Sequence, residues 1–450
     1  MLRNLPQVDA FVSLERFKSQ WGSYPRIVKA YIETYGCWLN KAESLIIEDL
    51  LEREGVEIVS SIEEANLIII NTCAVRRETE EKIFKRIEEL EGLRSRYGFK
   101  LVITGCLANL RPYTISLKAP EAHIIGPQSL ERIGEVIRAE GRIVDAILKP
   151  TERNILPCRS PSPVVHIVPI ATGCLGRCTF CVGPIVRGGV RSYPPEAIVR
   201  NVKEAVTRGA KIVVLTAQDL ASYGRDRGTN LVNLLEEILS KVEGGYFLRL
   251  GMMEPSLLKE FLDGIIEIYG DNRVFKYLHL PLQSGSDRVL KLMGRRYTFS
   301  TFYEIVKEFR RKFKELNFVT DIIVGFPGEE NEEFEETINA LRCLEPDKVH
   351  VARYTPRPFT EASLAPQVPE VEKKKRSKLL SKLVSEIAFS RNKKLVGTSR
   401  IGVVEEVRDK GIARLYNYKK VILLGGKYGL GDIKPIKIAK ATPIDLRGYA

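Results

Sequence analysis

The sequence predicts an α/β protein with three parts: a parallel-sheet unit, a partial barrel of repeated strand-helix pairs, and a small C-terminal β-barrel. Three observations predict it. Unalternating apolar runs such as Leu67-Ile-Ile-Ile-Asn-Thr read as strands covered on both faces. These runs alternate with helical stretches through most of the chain, as parallel sheets with right-handed crossovers require. Residues 395–450 then change character, to short β-like runs separated by glycines, the pattern of a small closed barrel.

The first unit spans 28–145. A strand over 26–36 ends at Cys37, a helix over 40–54 is closed by Gly55, a strand over 67–72 ends at Cys73, and a charged helix covers 76–97. A third strand, 100–105, ends at Cys106. In a doubly wound sheet every strand points its carboxyl end to one edge, where ligands bind. Cys37, Cys73 and Cys106 each fall one or two residues past a strand end, so their thiols share that edge. Their spacings of 36 and 33 residues each match about one strand-helix unit. Two readings stand: three small buried apolar residues, or three thiolates around a metal cluster.

A linker of 146–163 follows, with Pro150, Pro157, Pro161 and Pro163. Cys158 lies within it at no ligand spacing and reads as a free thiol. From 164 to 370, strands at 166–171, 211–216, 246–251, 275–280, 318–325 and 349–354 alternate with helices at 195–208, 230–242, 256–269, 298–312 and 329–344. Six repeats fall short of the eight of a full barrel, so a partial, laterally open barrel is expected, and an open side suits a macromolecular substrate. The residues just past its strands are the binding candidates: Gln218 and Asp219, then Gln283, Ser284 and Gly285, then Gly325 and Phe326. A turn or helix cap is the plain alternative for each. His123, His166, His279 and His350 read as structural histidines, and Cys343 as a core residue.

Within this unit lies Cys174-Leu-Gly-Arg-Cys178-Thr-Phe-Cys181. Three thiolates this close can grip one face of a small cluster, and no fourth cysteine follows. A [4Fe-4S] cluster normally takes four cysteines, so three leave one iron free for a small molecule. A structural zinc site fills all four positions from paired half-sites, and only one group is present. Zinc and unligated thiols remain the alternatives.

Composition adds bounds. No apolar run approaches the length of a membrane span and no secretory signal opens the chain, so a cytoplasmic protein is expected, in which eight cysteines serve metals rather than disulfides. The net charge of +13 is localised. Residues 371–394 carry nine Lys/Arg against two acids and 395–450 eleven against five, which accounts for the whole excess. A basic helix over 371–394, with Leu379, Leu380, Leu383, Ile387 and Phe389 on one face, leads into a basic barrel over 395–450. Arg414, Lys419, Lys420, Lys427, Lys434 and Lys437 with Tyr416 and Tyr418 supply the mixture that RNA contact uses.

The CxxxCxxC with its aromatic residue before the last cysteine resembles the radical S-adenosylmethionine (SAM) superfamily. There the open iron binds SAM, which one electron cleaves to a 5'-deoxyadenosyl radical. Two three-cysteine sets in this order are similar to the methylthiotransferase family, as are Thr216-Ala-Gln-Asp-Leu-Ala-Ser-Tyr-Gly, His279-Leu-Pro-Leu-Gln-Ser-Gly-Ser and Thr320-Asp-Ile-Ile-Val-Gly-Phe-Pro-Gly-Glu. The resemblance implies a flavodoxin-like first unit, a (βα)6 radical-SAM barrel and a TRAM-like RNA-binding barrel. It implies two [4Fe-4S] clusters, one held by Cys174, Cys178 and Cys181 with SAM, the other by Cys37, Cys73 and Cys106 and serving sulfur insertion. It also implies a tRNA substrate, an electron donor, a sulfur donor and no membrane. Glu33-Thr-Tyr-Gly-Cys-Trp-Leu-Asn-Lys-Ala-Glu-Ser looks closest to the archaeal and eukaryotic branch, which methylthiolates C2 of N6-threonylcarbamoyladenosine at tRNA position 37. The run after Cys181, Val-Gly-Pro-Ile-Val-Arg-Gly, is nearer to branches acting on isopentenyladenosine or on a ribosomal-protein aspartate, which are the alternatives. A non-catalytic iron-sulfur or zinc RNA-binding protein is the alternative of another class.

Overall fold

The structure is a computed structural model that describes residues 27–148 and 155–450; Arg26 and the linker residue Pro150 lie outside the described residues. In the first unit the strands are Lys29–Thr34 (β1), Glu57–Ile58 (β2), Leu67–Thr72 (β3), Lys100–Gly105 (β4), His123–Ile125 (β5) and Val144–Asp145 (β6). All are parallel, in the order β2-β1-β3-β4-β5-β6. This flavodoxin-like winding places its switch point between β1 and β3. Every residue of β3 is buried, as its apolar run requires. Strands β2, β5 and β6 are absent from the reading of the sequence, and β2 and β6 have only two residues each.

The second unit contains Val165–Pro169 (β7), Ala171–Thr172 (β8), Arg191–Ser192 (β9), Ile212–Thr216 (β10), Phe247–Arg249 (β11), Tyr277–His279 (β12), Asn317–Val324 (β13) and Lys348–Arg353 (β14). Strands β7, β10 and β11 form one parallel sheet and β12, β13 and β14 another. Parallel bridges Leu248↔Val274 and Met252↔His279 join them, so six strands run in chain order. No pairing joins β14 to β7 among the described residues, and the barrel is open there. The helix expected over 256–269 is two, Pro255–Lys259 and Leu262–Gly270, because Phe261 leaves the helical backbone at φ −137° and ψ 33°. Cys343 is exposed rather than in the core; its helix buries the neighbours Leu341 and Leu344.

The first unit and the C-terminal barrel fill the open barrel. The helix Trp38–Arg53 sends Ala42 and Leu45 into a buried cluster with Ile167, Ile212, Val214, Phe275 and Val319, and Trp38 packs against it. Arg357 donates to the Ala74 carbonyl at 2.7 Å and pairs with buried Glu80, and Arg353 pairs with Glu78 at 3.3 Å.

The helix Glu370–Lys393 buries Lys373, Arg376, Leu380, Ala388 and Asn392, a stripe at steps of three, four and eight residues. Leu379 and Phe389 fall off that stripe, 50% and 41% exposed, correcting the single face read from the sequence. Its basic residues are partly internal: Arg376 pairs with Glu329 at 2.9 Å and Arg391 with Asp347 at 2.8 Å. No described helix is long and apolar enough to cross a membrane.

The last unit is a closed barrel of Ser399–Val407 (β15), Gly411–Leu415 (β16), Lys420–Gly425 (β17), Ile433–Ala441 (β18) and Leu446–Tyr449 (β19), ordered β15-β16-β17-β19-β18. Four residues of β19 close it. The aromatic and basic set read as an RNA surface is divided by the fold. Tyr418 packs against Phe275 at 5.0 Å and Tyr277 at 5.3 Å, Arg414 lies over Tyr418 at 4.8 Å, and Tyr416 donates to Glu315. Lys419 pairs with Asp347 at 2.7 Å. These residues dock the small barrel on the large one. Lys427, Lys437 and Lys440 remain exposed.

Asp347 is the hub of that docking, since its carboxylate accepts from Arg391, Lys419 and the Phe318 amide. Burial alone would raise its pKa, but Lys419 and Arg391 more than offset this and hold it below the usual carboxylate range. Its stabilising contribution is therefore present above the unfolded value of about 3.9 and lost as the pH falls through the depressed folded one. Asp347→Ala should cost about 3–5 kcal/mol by stranding two cations. Thermal unfolding should show that gap at neutral pH and its narrowing in acid; equal melting of variant and parent at pH 7 would refute it.

Candidate metal and cofactor site

Strands β1, β3 and β4 are neighbours, so the residues that follow them stand side by side on the carboxyl edge. Cys37 caps the helix Trp38–Arg53, Cys73 follows β3, and Cys106 opens the helix Cys106–Leu110. The approach is close: a Cβ on Gly36 would stand 3.0 Å from the Cys73 Cβ, and one on Gly105, at φ +88°, would meet the Thr72 carbonyl oxygen at 2.4 Å. Only glycine fits there, and it lets the chain turn the thiols inward. The three sulfurs lie close enough to oppose one another's ionisation, and burial pushes the Cys106 thiol up to about 12. A metal takes thiolates, so ligation here must release protons.

Two cations from the second unit meet this edge: Arg357, which acts on Cys73, and Arg187. Arg187 donates to the Cys106 Sγ from Nε and from a terminal nitrogen, both at 3.2 Å, and its guanidinium pairs with Glu43. Both partners are buried. Burial opposes its charge, but Cys106 and Glu43 keep it firmly protonated.

Cys174, Cys178 and Cys181 lie on a loop between β8 and β9, which pair with each other. Its backbone amides turn toward its own sulfurs: Gly176 N–H donates to Cys174 Sγ at 3.2 Å and Gly183 N–H to Cys181 Sγ at 3.3 Å. Arg295 donates to Cys178 Sγ at 3.0 Å and to the Tyr297 hydroxyl at 2.9 Å. Thr179 anchors the loop, its N–H donating to the Met293 carbonyl and its own carbonyl accepting from Ala362 N–H. Phe180 meets the Phe326 ring edge-on at 6.2 Å, and Phe326 meets Tyr354 at 5.2 Å, an apolar wall beside the sulfurs. Burial pushes Cys174 up to about 12 and Cys181 to about 11.

The strand-end candidates divide. Asp219 accepts from the Ala221 and Glu254 amides, and burial raises its carboxyl to about 7. Ser284 and the Gly285 N–H engage Thr337. Gly325 and Phe326 donate their N–H groups to Glu329, and a Cβ on Gly325 would strike the Lys373 side chain at 2.4 Å. These five have structural partners. Gln218 and Gln283 each keep a buried amide oxygen with no partner among the described residues, and Gln283 holds a left-handed φ of 72°. Two orphaned acceptors, past β10 and β12 on either side of β11, and six sulfur donors in two groups fit two clusters and a small polar ligand.

Arg187 and Arg295 are absent from a reading of the sequence. Arg187 touches the cysteine set remote from it in the chain, and nothing separates Arg295 from the exposed Arg296 beside it. Of the histidines, His166 is satisfied by Ser160 and Asn201, and His123 accepts from the Ile143 N–H. His279 instead donates from Nε2 to the Asp321 carboxylate at 2.9 Å, with the His350 ring 5.7 Å away.

Comparisons with known proteins agree with this architecture. The model of the radical SAM superfamily matches residues 168–341, and that of the uncharacterized protein family UPF0004 matches 29–126. The "Probable threonylcarbamoyladenosine tRNA methylthiotransferase" of Pyrococcus abyssi is 43% identical over 424 residues, covering 92% of this chain and 98% of the relative. The "tRNA-2-methylthio-N(6)-dimethylallyladenosine synthase" of Dictyoglomus thermophilum is 33% identical, covering 93% and 98%. Among solved structures, the radical S-adenosylmethionine methyltransferase TsrM from Kitasatospora setae aligns with a TM-score of 0.57 at 15% identity, covering 75% of each chain, a likeness of fold.

Proposed function

Since the chain belongs to the methylthiotransferase family of radical-SAM enzymes, we propose that it inserts a methylthio group at C2 of N6-threonylcarbamoyladenosine at position 37 of tRNA. Its cofactors are two [4Fe-4S] clusters and SAM. Cys174, Cys178 and Cys181 would hold one cluster with SAM, and Cys37, Cys73 and Cys106 the other; bound there, these groups supply reductive SAM cleavage and the transferred sulfur. An electron donor and a sulfur donor complete the reaction, which takes place in the cytoplasm.

The chain's own part is positioning and shielding. Arg295 and Arg187 each set a buried guanidinium against one cysteine sulfur of a trio, which favours the thiolate over the thiol. The Gly176 and Gly183 amides favour it at two more sulfurs. Phe180, Phe326 and Tyr354 keep water from one side of the loop, protecting reactive species from solvent. Gln218 and Gln283 offer acceptors to SAM or to the base.

One observation supports this reading: Arg187, on the short helix that follows one cysteine trio, hydrogen-bonds a sulfur of the other, so one segment of chain links the two. Nucleoside mass spectrometry of tRNA treated with the anaerobically reconstituted enzyme, SAM and reductant tests it. The expected product is 2-methylthio-N6-threonylcarbamoyladenosine. Product only from isopentenyladenosine tRNA, or only on a ribosomal protein, would overturn the substrate.

A further inference from the structure

Strands β12, β13 and β14 carry a polar cluster that the cysteine chemistry leaves unused. His279 closes β12, and Asp321 and His350 are register partners on β13 and β14. One ligand-type atom from each lies within 4.8 Å of the others, a geometry that invites a divalent metal. The surrounding charge argues against a cation. The segment after Cys73 is clamped along β14 by Arg357 to Ala74 and Arg353 to Glu78. From this segment the exposed Arg76 acts on both Asp321 and His350. Arg76 has no ion-pair partner among the described residues. Lys348 on β14 also acts on His350, and Arg249 and Arg414 act on Lys348. Glu405 pairs with Arg414 at 2.8 Å, which leaves Arg76, Lys348 and Arg249 against Asp321, itself bonded to His279. Burial keeps His350 neutral, near 4, so it offers one ring N–H as a donor. A site with an unpaired guanidinium, a neutral imidazole donor and excess positive charge takes an anion, and a planar fork matches a carboxylate.

We propose that Arg76, with His279 and His350 beside it, is a carboxylate-binding subsite that grips the threonyl carboxylate of the modified base. This rests on the substrate reading given above. Arg76 is three residues beyond Cys73 in the chain, which puts the subsite next to the sulfur-bearing edge. In the base, C2 and the N6-bearing carbon are separated by one ring nitrogen, so a base presenting C2 to that edge carries its N6 substituent past Arg76. A dimethylallyl substituent has no charge to offer there, so Arg76 sets specificity.

The test compares kcat/KM of the reconstituted enzyme on an anticodon stem-loop bearing N6-threonylcarbamoyladenosine with that on the same stem-loop after amidation of its carboxylate. Equilibrium binding of both RNAs is measured in parallel. For the parent the ratio should be roughly 10- to 100-fold, the worth of one charged hydrogen-bonded pair. In Arg76→Gln it should fall close to one, in KM and in binding, and Arg76→Lys should recover part of it. The same discrimination in Arg76→Gln as in the parent would overturn the subsite, as would stoichiometric zinc or iron lost on His350→Ala. A parent that modifies only the dimethylallyl stem-loop would instead overturn the substrate reading, a different result from either.

Discussion

Replacing Cys37 with alanine is expected to leave reductive SAM cleavage in place and to bring methylthiolation to background, whereas Cys174→Ala abolishes both. The two trios sit on different units and share no side chain. Cys37 lies on the first sheet's edge, and Cys174 on the loop between β8 and β9. Loss of one ligand should therefore empty one site and spare the other. Iron should fall from about eight to about four per chain in each variant. Released 5'-deoxyadenosine reports cleavage, and nucleoside mass spectrometry reports insertion. Cys37 is exposed whereas Cys73 and Cys106 are buried, so its truncation opens no core cavity and the result reads ligation rather than folding. Full methylthiolation by Cys37→Ala would end the assignment of the first trio.

Arg187→Met should produce a large loss of stability. The change strands Glu43, 4% exposed, as an unpaired buried charge, which costs about 3–5 kcal/mol. A drop in Tm of roughly 10 °C follows for a unit of this size. It also removes both donors to Cys106, and loss of such an outer partner typically weakens metal affinity or activity about 10- to 100-fold. The double variant Arg187→Met with Glu43→Leu separates the two roles. It should regain most of the Tm, because an apolar pair replaces a buried ion pair at little cost, while iron retention at the first trio stays weak. Parental Tm and iron content in the single variant would mean that Arg187 serves neither.

Much of this architecture is legible along the chain because its signals are local. A run such as Leu67–Thr72 has no polar alternation, and it is a wholly buried central strand. The three strand-end cysteines fall where their sheet positions predict, because β1, β3 and β4 are both long enough to read and adjacent. The six strands of the open barrel appear in order because apolar runs extend beyond even the three-residue pairings of β11 and β12. Two-residue strands such as β2 and β6 are illegible, and so is any pairing that closes a sheet, as with β19.

The sequence by itself determined the fold class, the order of the three units and the identity of the two cysteine sets, because strand periodicity and motif spacing are properties of neighbouring residues. Only the tertiary structure decided what the isolated polar residues do. It brought Arg187 to Cys106, packed Tyr418 and Lys419 into a unit interface, gave Asp219 to backbone amides, and gathered His279, Asp321 and His350 near Arg76. A charged side chain acquires its role from the partners that burial forces on it, and those partners come from distant segments that no local pattern specifies.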